Sequence, residues 1–147
     1  MTSPVCADAS LIETLLIPER FSQAALELWR EWMVDGWQVV EPMLLRYEVT
    51  SAIYRKGKTG LISVPDSREV LKRFLQLDID FLDPLELPLR ATELAEQFQR
   101  PNTYDAYYLA LAETMNCPFW TGDERLMNAV GAGFDRLHWL GGIPAGK

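Results

Sequence analysis

Short apolar runs alternate along this chain with longer stretches in which apolar residues recur every three to four positions. The first run is Val5-Cys6-Ala7, closed by Asp8; the others are Trp37 to Val40, Ile79 to Leu82, Phe119-Trp120 and Leu137 to Leu140. Helical stretches separate them. Ser10 is placed to cap a short turn through Leu11, Ile12, Leu15 and Leu16. Pro18 breaks that turn and opens a helix over Glu19 to Val34, ended by Asp35-Gly36. Pro42 suits the first turn of the next helix, which carries Leu44, Leu45, Val49, Ala52 and Ile53 until Gly57 and Gly60 stop it. Val64-Pro65-Asp66 opens another, and further helices are expected over Arg90 to Phe98, Thr103 to Met115 and Glu124 to Val130. Five strands and about six helices in this order predict an α/β fold: a three-layer α/β/α sandwich around a central parallel five-stranded sheet with right-handed crossovers.

Length adds that one domain is expected over residues 1–147, with the closing GGIPAGK, residues 141–147, as a C-terminal tail. The longest unbroken apolar run is seven residues, Ala106 to Ala112, against roughly 20 for a membrane helix, so no membrane partner is expected. The opening MTSPVCADAS lacks a basic and an apolar region of the kind a signal peptide has. Cys6 and Cys117 then read as reduced thiols of a cytoplasmic protein.

The net charge of −7 argues against a positive coat for duplex binding. The charge is uneven, however. Residues 46 to 73 hold seven Lys or Arg against three acids. Arg46, Arg55, Lys56 and Lys58 in that strip are compatible with guiding a short nucleic-acid segment, and equally with a solvated helix face.

Four acids change the picture. Asp8 follows the first strand and Asp123 the fourth, and in open parallel sheets ligands bind outside the carboxyl ends of strands. Asp105 lies in a first helical turn, with Asn102 as a plausible cap. Glu48 sits on an otherwise apolar helical stretch. Each alone reads as a cap or dipole partner. Together, with no Lys or Arg paired beside them by pattern, they would repel one another, and a hard divalent ion, Mg²⁺ or Mn²⁺, is the usual resolution. One histidine, His138, and two cysteines 111 positions apart do not make a zinc site. His138 itself reads as a partly buried structural residue.

Four segments carry a family resemblance. VCADASLI resembles the opening strand and first Asp of the PIN domain, and LLRYEVTSAIYR is similar to its second motif. TYDAYYLALAE and TGDERL resemble its third and fourth. The acids follow in the family's order with gaps of 40, 57 and 18 residues, and the resemblance runs from about Val5 to Leu140. It implies a small α/β/α ribonuclease with Mg²⁺ or Mn²⁺, of the kind that mostly serves as toxin in VapBC-type toxin–antitoxin pairs. By the same resemblance Asp8, Glu48, Asp105 and Asp123 are the catalytic, metal-binding quartet and Thr121 the hydroxyl that supports it. The residues alone give Thr121 a second role, because Thr121 and Glu124 make a capping box. Ser51-Ala52 departs from the family, lacking the Asn many members place there.

The expected reaction is metal-assisted hydrolysis of a phosphodiester in single-stranded RNA, with Glu48 orienting or deprotonating the water. The alternative is a PIN-like interaction or RNA-binding module with little turnover. Partners follow: an RNA substrate, an antitoxin protein and a second copy of the chain. The helix over Glu19 to Val34 spreads apolar residues over roughly 200° against about 100° for a one-sided helix. Leu26, Trp29 and Met33 are therefore expected to form a docking face for a homodimer or an antitoxin helix.

Overall fold

The structure is a computed structural model that describes residues 2–144. Five strands, β1 (Pro4–Ala7), β2 (Gln38–Pro42), β3 (Asp80–Leu82), β4 (Phe119–Thr121) and β5 (Leu137–Trp139), form one parallel sheet in the order β3-β2-β1-β4-β5. The connections are helical: α1 (Ala9–Leu16), α2 (Ser22–Asp35), α3 (Leu44–Lys58), α4 (Val64–Leu75), α5 (Leu87–Gln97), α6 (Tyr104–Met115) and α7 (Glu124–Val130). Parallel neighbours need such crossovers, and the helices shield the sheet on both faces. The expected three-layer α/β/α architecture is the observed one.

The buried elements are the ones with unbroken apolar runs. Val5, Cys6 and Ala7 of β1 are fully buried, as are Ala106, Leu109, Ala110, Leu111 and Ala112 of α6. A helix apolar on nearly every side belongs inside, and α6 lies against β1, β2 and β4 with α5 beside it. The chain order reverses at β1, which has β2 on one side and β4 on the other. That is the switch point of the sheet, and its crevice opens between the ends of β1 and β4.

Several boundaries differ from the sequence expectation for local reasons. α2 begins at Ser22, not Glu19, because the Ser22 hydroxyl accepts from the Glu19 N–H (2.8 Å) and holds Pro18 to Arg20 in a turn. Pro42 ends β2 beside Leu82 of β3 instead of opening a helix. α5 begins three residues before Arg90, with Pro88 in its first turn, a start signal available in the sequence. Of the expected docking face, Leu26 is half-buried and Met33 exposed, but Trp29 is withdrawn from it. Trp29 is only 8% exposed, packed beside Trp32 (centroids 5.8 Å apart) where α2 lies on α1. The expected tail also carries structure: Gly141 and Gly142 lie in a 3-10 turn and Ile143 packs against the core, while residues 145–147 of that stretch lie outside the described residues.

Candidate active site

Asp8 is the first residue past β1. Its carboxylate caps α1, accepting at Oδ1 from the Leu11 N–H (3.1 Å) and the Ser10 hydroxyl (2.6 Å). Oδ2 accepts from the Thr121 hydroxyl at 2.5 Å. Ser10 is thus not the α1 cap; it lies inside the helix and braces the acid that is. Thr121 ends β4, fully buried, and its hydroxyl also accepts from the Asp123 N–H (3.0 Å). The Ser10 hydroxyl meanwhile accepts from the Gly122 N–H (2.9 Å). A Cβ on Gly122 would stand 3.2 Å from that hydroxyl and 3.3 Å from the Leu11 nitrogen, so glycine lets the turn after β4 close onto α1. The capping box is not formed: α7 is capped by Asp123, which accepts from the Arg125 N–H (2.9 Å).

Burial pushes the Asp8 carboxyl up from 3.8 to about 6. The bonds from Ser10, Thr121 and Leu11 pull it back, and the charge of Asp105 raises it further. Glu48 is raised as well, by burial first and by Asp105 last, while the bond from Tyr108 lowers it. That bond, Tyr108 hydroxyl to Glu48 Oε1 at 2.6 Å, spans α6 and α3. Tyr108 is buried and stacked on Phe119 of β4 (5.8 Å, 5° between planes), and its own pKa is raised by burial and Glu48, so it remains a donor. Asp105 stands in the first turn of α6, as expected, with Asn102 accepting from the Tyr104 N–H (3.1 Å). Asp8 and Glu48 thus each sense the charge of Asp105, the Thr121 hydroxyl holds the Asp8 carboxylate, and Asp123 meets Thr121 through its backbone N–H while its own carboxylate caps α7.

Two acids do have cations near them, contrary to the sequence pattern. Arg100 Nη2 lies 3.3 Å from Asp105 Oδ2, and Arg125 Nε lies 3.7 Å from Asp123 Oδ1. The basic strip is not paired with these acids. Arg46 stacks over the Phe81 ring (5.7 Å), Arg55 donates to Ser51 (3.2 Å), and Lys56 pairs with Glu13 (3.5 Å). Lys58 edges a cavity between α3 and α4. His138 is exposed and stacked on Trp120 (4.9 Å), not partly buried.

Four neighbouring residues are not among the site residues expected from the sequence: Ser10, Tyr108, Arg100 and Glu41. Glu41 is a fully buried acid in β2 whose oxygens accept from the Ala7 N–H (3.3 Å) and the Cys6 thiol (3.1 Å). Burial raises its pKa well above the usual carboxylate value. An acid inside the strand QVVEP was the available signal.

The donor set is oxygen only, which fits a hard cation in preference to zinc. Among the described residues no three Asp, Glu, His or Cys side chains come close enough together to hold a metal ion. Like charges at this range repel, so separated carboxylates are their low-energy arrangement.

The family model described as "PIN domain" matches residues 5–132. Among characterised proteins, the chain is similar to ribonuclease VapC9 of Mycobacterium tuberculosis and to VapC ribonuclease Mb0985 of Mycobacterium bovis. Each is 31% identical over 85 residues, which are 58% of this chain and 65% of the relative, so the likeness spans less than two thirds of their length. Among solved structures, PAE2754 from Pyrobaculum aerophilum superposes with a TM-score of 0.70 at 18% identity, over 96% of this chain and 93% of that one. M. tuberculosis VapC20, a sarcin–ricin-loop-cleaving toxin, gives 0.64 at 16% identity over 88% and 95%. At these identities the structural likeness speaks to the fold.

Proposed function

The chain belongs to the PIN-domain family, and on that premise we propose that it is a Mg²⁺- or Mn²⁺-dependent endoribonuclease acting on single-stranded RNA, the toxin of a toxin–antitoxin pair. The observation that supports this reading is Asp8 at the switch point of the sheet, with Asp8 and Glu48 both raised in pKa and both sensing Asp105. The partial likeness to two VapC ribonucleases supports the substrate class.

Asp8, Glu48, Asp105 and Asp123 would hold the cation, which when bound offsets phosphate charge and acidifies a water. The chain's own work is orientation and proton handling. Thr121 and Ser10 fix the Asp8 carboxylate from two sides. Glu48, whose pKa burial raises, is the base that would take a proton from the attacking water, and the Tyr108 hydroxyl holds its Oε1 in place. Tyr108 keeps its own proton, so it steers the base and does not compete with it.

An antitoxin needs an apolar seat other than the buried Trp29. A cavity of about 380 Å³ between α3 and α4, walled by Ile53, Tyr54, Val64 and Leu71 with Lys58 and Arg68 at its edge, suits an apolar segment with acidic flanks. A second copy of the chain completes the assembly. Among the described residues no helix is long and apolar enough to cross a membrane, and both cysteines are free, in keeping with action in the cytoplasm.

The test is cleavage of a circular single-stranded RNA, which only an endonuclease opens. Linear product in Mn²⁺, absent in EDTA and absent for Asp8→Asn, supports the reading. RNA binding without metal-dependent cutting would leave the interaction-module alternative in its place.

A further inference from the structure

One cation, Arg100, lies against the acid Asp105. It stands in the turn between α5 and α6, five residues before Asp105. The turn is fixed by backbone bonds: the Arg100 N–H donates to the Ala95 carbonyl at 2.8 Å and the Phe98 N–H to that of Leu94 at 3.0 Å. Gln99 takes a left-handed conformation (φ 52°) to let the chain reverse there. The Arg100 side chain is therefore delivered to one place, and it is only 20% exposed.

Its donors are unevenly used. Nη2 reaches Asp105 Oδ2 at 3.3 Å, a single contact and not a two-pronged fork. Nε is buried and, among the described residues, has no hydrogen-bond acceptor. A buried unpaired donor is costly to keep, and such groups call for an explanation. With Nη2 on a carboxylate and Nε enclosed by the protein, the solvent-facing part of the guanidinium is what remains to meet an anionic oxygen, phosphate above all. The other described cations nearby serve elsewhere. Lys56 is held by Glu13, Arg46 lies over Phe81, and Arg125 is 93% exposed at its contact with Asp123. RNA approaching this acidic edge presents only negative charge, so a fixed cation among the acids is what the electrostatics require.

We infer that Arg100 is a substrate-binding residue: its guanidinium contacts a phosphate oxygen of the RNA beside the acids, with Asp105 setting its direction. The inference rests on the nuclease reading for its substrate, and its test is separable from that reading.

The experiment measures binding of a short labelled single-stranded RNA by fluorescence anisotropy in EDTA, across a salt series, for wild type, Arg100→Met and Arg100→Lys. Loss of one charge-assisted phosphate contact weakens binding roughly tenfold or more. It also makes the slope of log K against log[salt] shallower by about 0.7. Arg100→Lys keeps the charge, so its slope stays that of wild type while its affinity falls between the two. A residue that merely neutralises Asp105 would change Mn²⁺ affinity and leave the salt slope alone. A wild-type slope in Arg100→Met, or no salt-dependent RNA binding by wild type, overturns the inference. Cleavage of the same RNA in Mn²⁺ is read in parallel. Cleavage with an unchanged slope sinks the Arg100 inference alone, and a changed slope without cleavage sinks the nuclease reading while Arg100 stands as an RNA contact.

Discussion

Asp8 shows at the residue scale how one side chain serves folding and chemistry with opposite demands. As a cap it accepts three hydrogen bonds, yet burial outweighs them and lifts its pKa from 3.8 to about 6. The sign of the consequence is fixed. The folded state holds this proton at pH values where the unfolded chain has released it, so the stabilising effect is present below about 4 and is lost as pH rises through 6. The rise corresponds to about 3 kcal/mol at neutral pH, as an order of magnitude. In EDTA, Asp8→Asn should match wild type near pH 4 and exceed it near pH 7, read as urea midpoints at the two pH values. An Asn variant that is weaker at both would make the acid a simple cap. Glu41 gives a second prediction. Glu41→Ala strands the Ala7 N–H and should cost about 1–3 kcal/mol, whereas Glu41→Gln keeps an acceptor and should cost clearly less. Equal losses by chemical denaturation would deny the carboxylate its role as acceptor. The acids Asp8, Glu48, Asp105 and Asp123 were legible because they interrupt apolar patterns at strand ends or on a helical stripe. Tyr108 and Arg100 were not, because each looks ordinary in sequence and acquires meaning only across α3 and α6 or around the Gln99 turn.

Element by element, what the sequence shows well is alternation, and what it shows poorly is where helices approach closely. β1 stands in the centre of the strand order, and its Val5, Cys6 and Ala7 are fully buried, as a parallel strand paired on both sides and covered on both faces requires. Trp29 was misread because a wheel counts apolar arc without knowing which of its residues the rest of the fold buries. Gly57 was read as a stop, yet it lies inside α3, buried against α4. A Cβ there would stand 2.8 Å from Ser67 Oγ, and that hydroxyl is itself held by the Val64 carbonyl at 2.6 Å. Alanine's better helix propensity offers about 1 kcal/mol, and overpacking costs typically 1–3. Gly57→Ala should therefore lower the melting temperature, and an unchanged or higher value would show that α4 yields freely.

At the scale of the whole molecule, the site sits where the sheet topology puts a crevice. β1 delivers Asp8, β4 delivers Thr121 and Asp123, α6 delivers Asp105 and α3 delivers Glu48. Of these elements only α6 and β4 are consecutive in the chain, which is why spacing and family resemblance were needed to assemble the quartet beforehand. The central claim is that these acids form one cation site. Its most direct measurement is the Mn²⁺-induced rise in melting temperature for wild type, Asp8→Asn, Glu48→Gln and Asp105→Asn. Binding at a hundred times Kd adds about 2.7 kcal/mol to the folded state. Wild type should show a clear rise, and each variant, having lost one ligand, a smaller one. A rise of the same size in all four proteins would place the ion elsewhere and contradict the account.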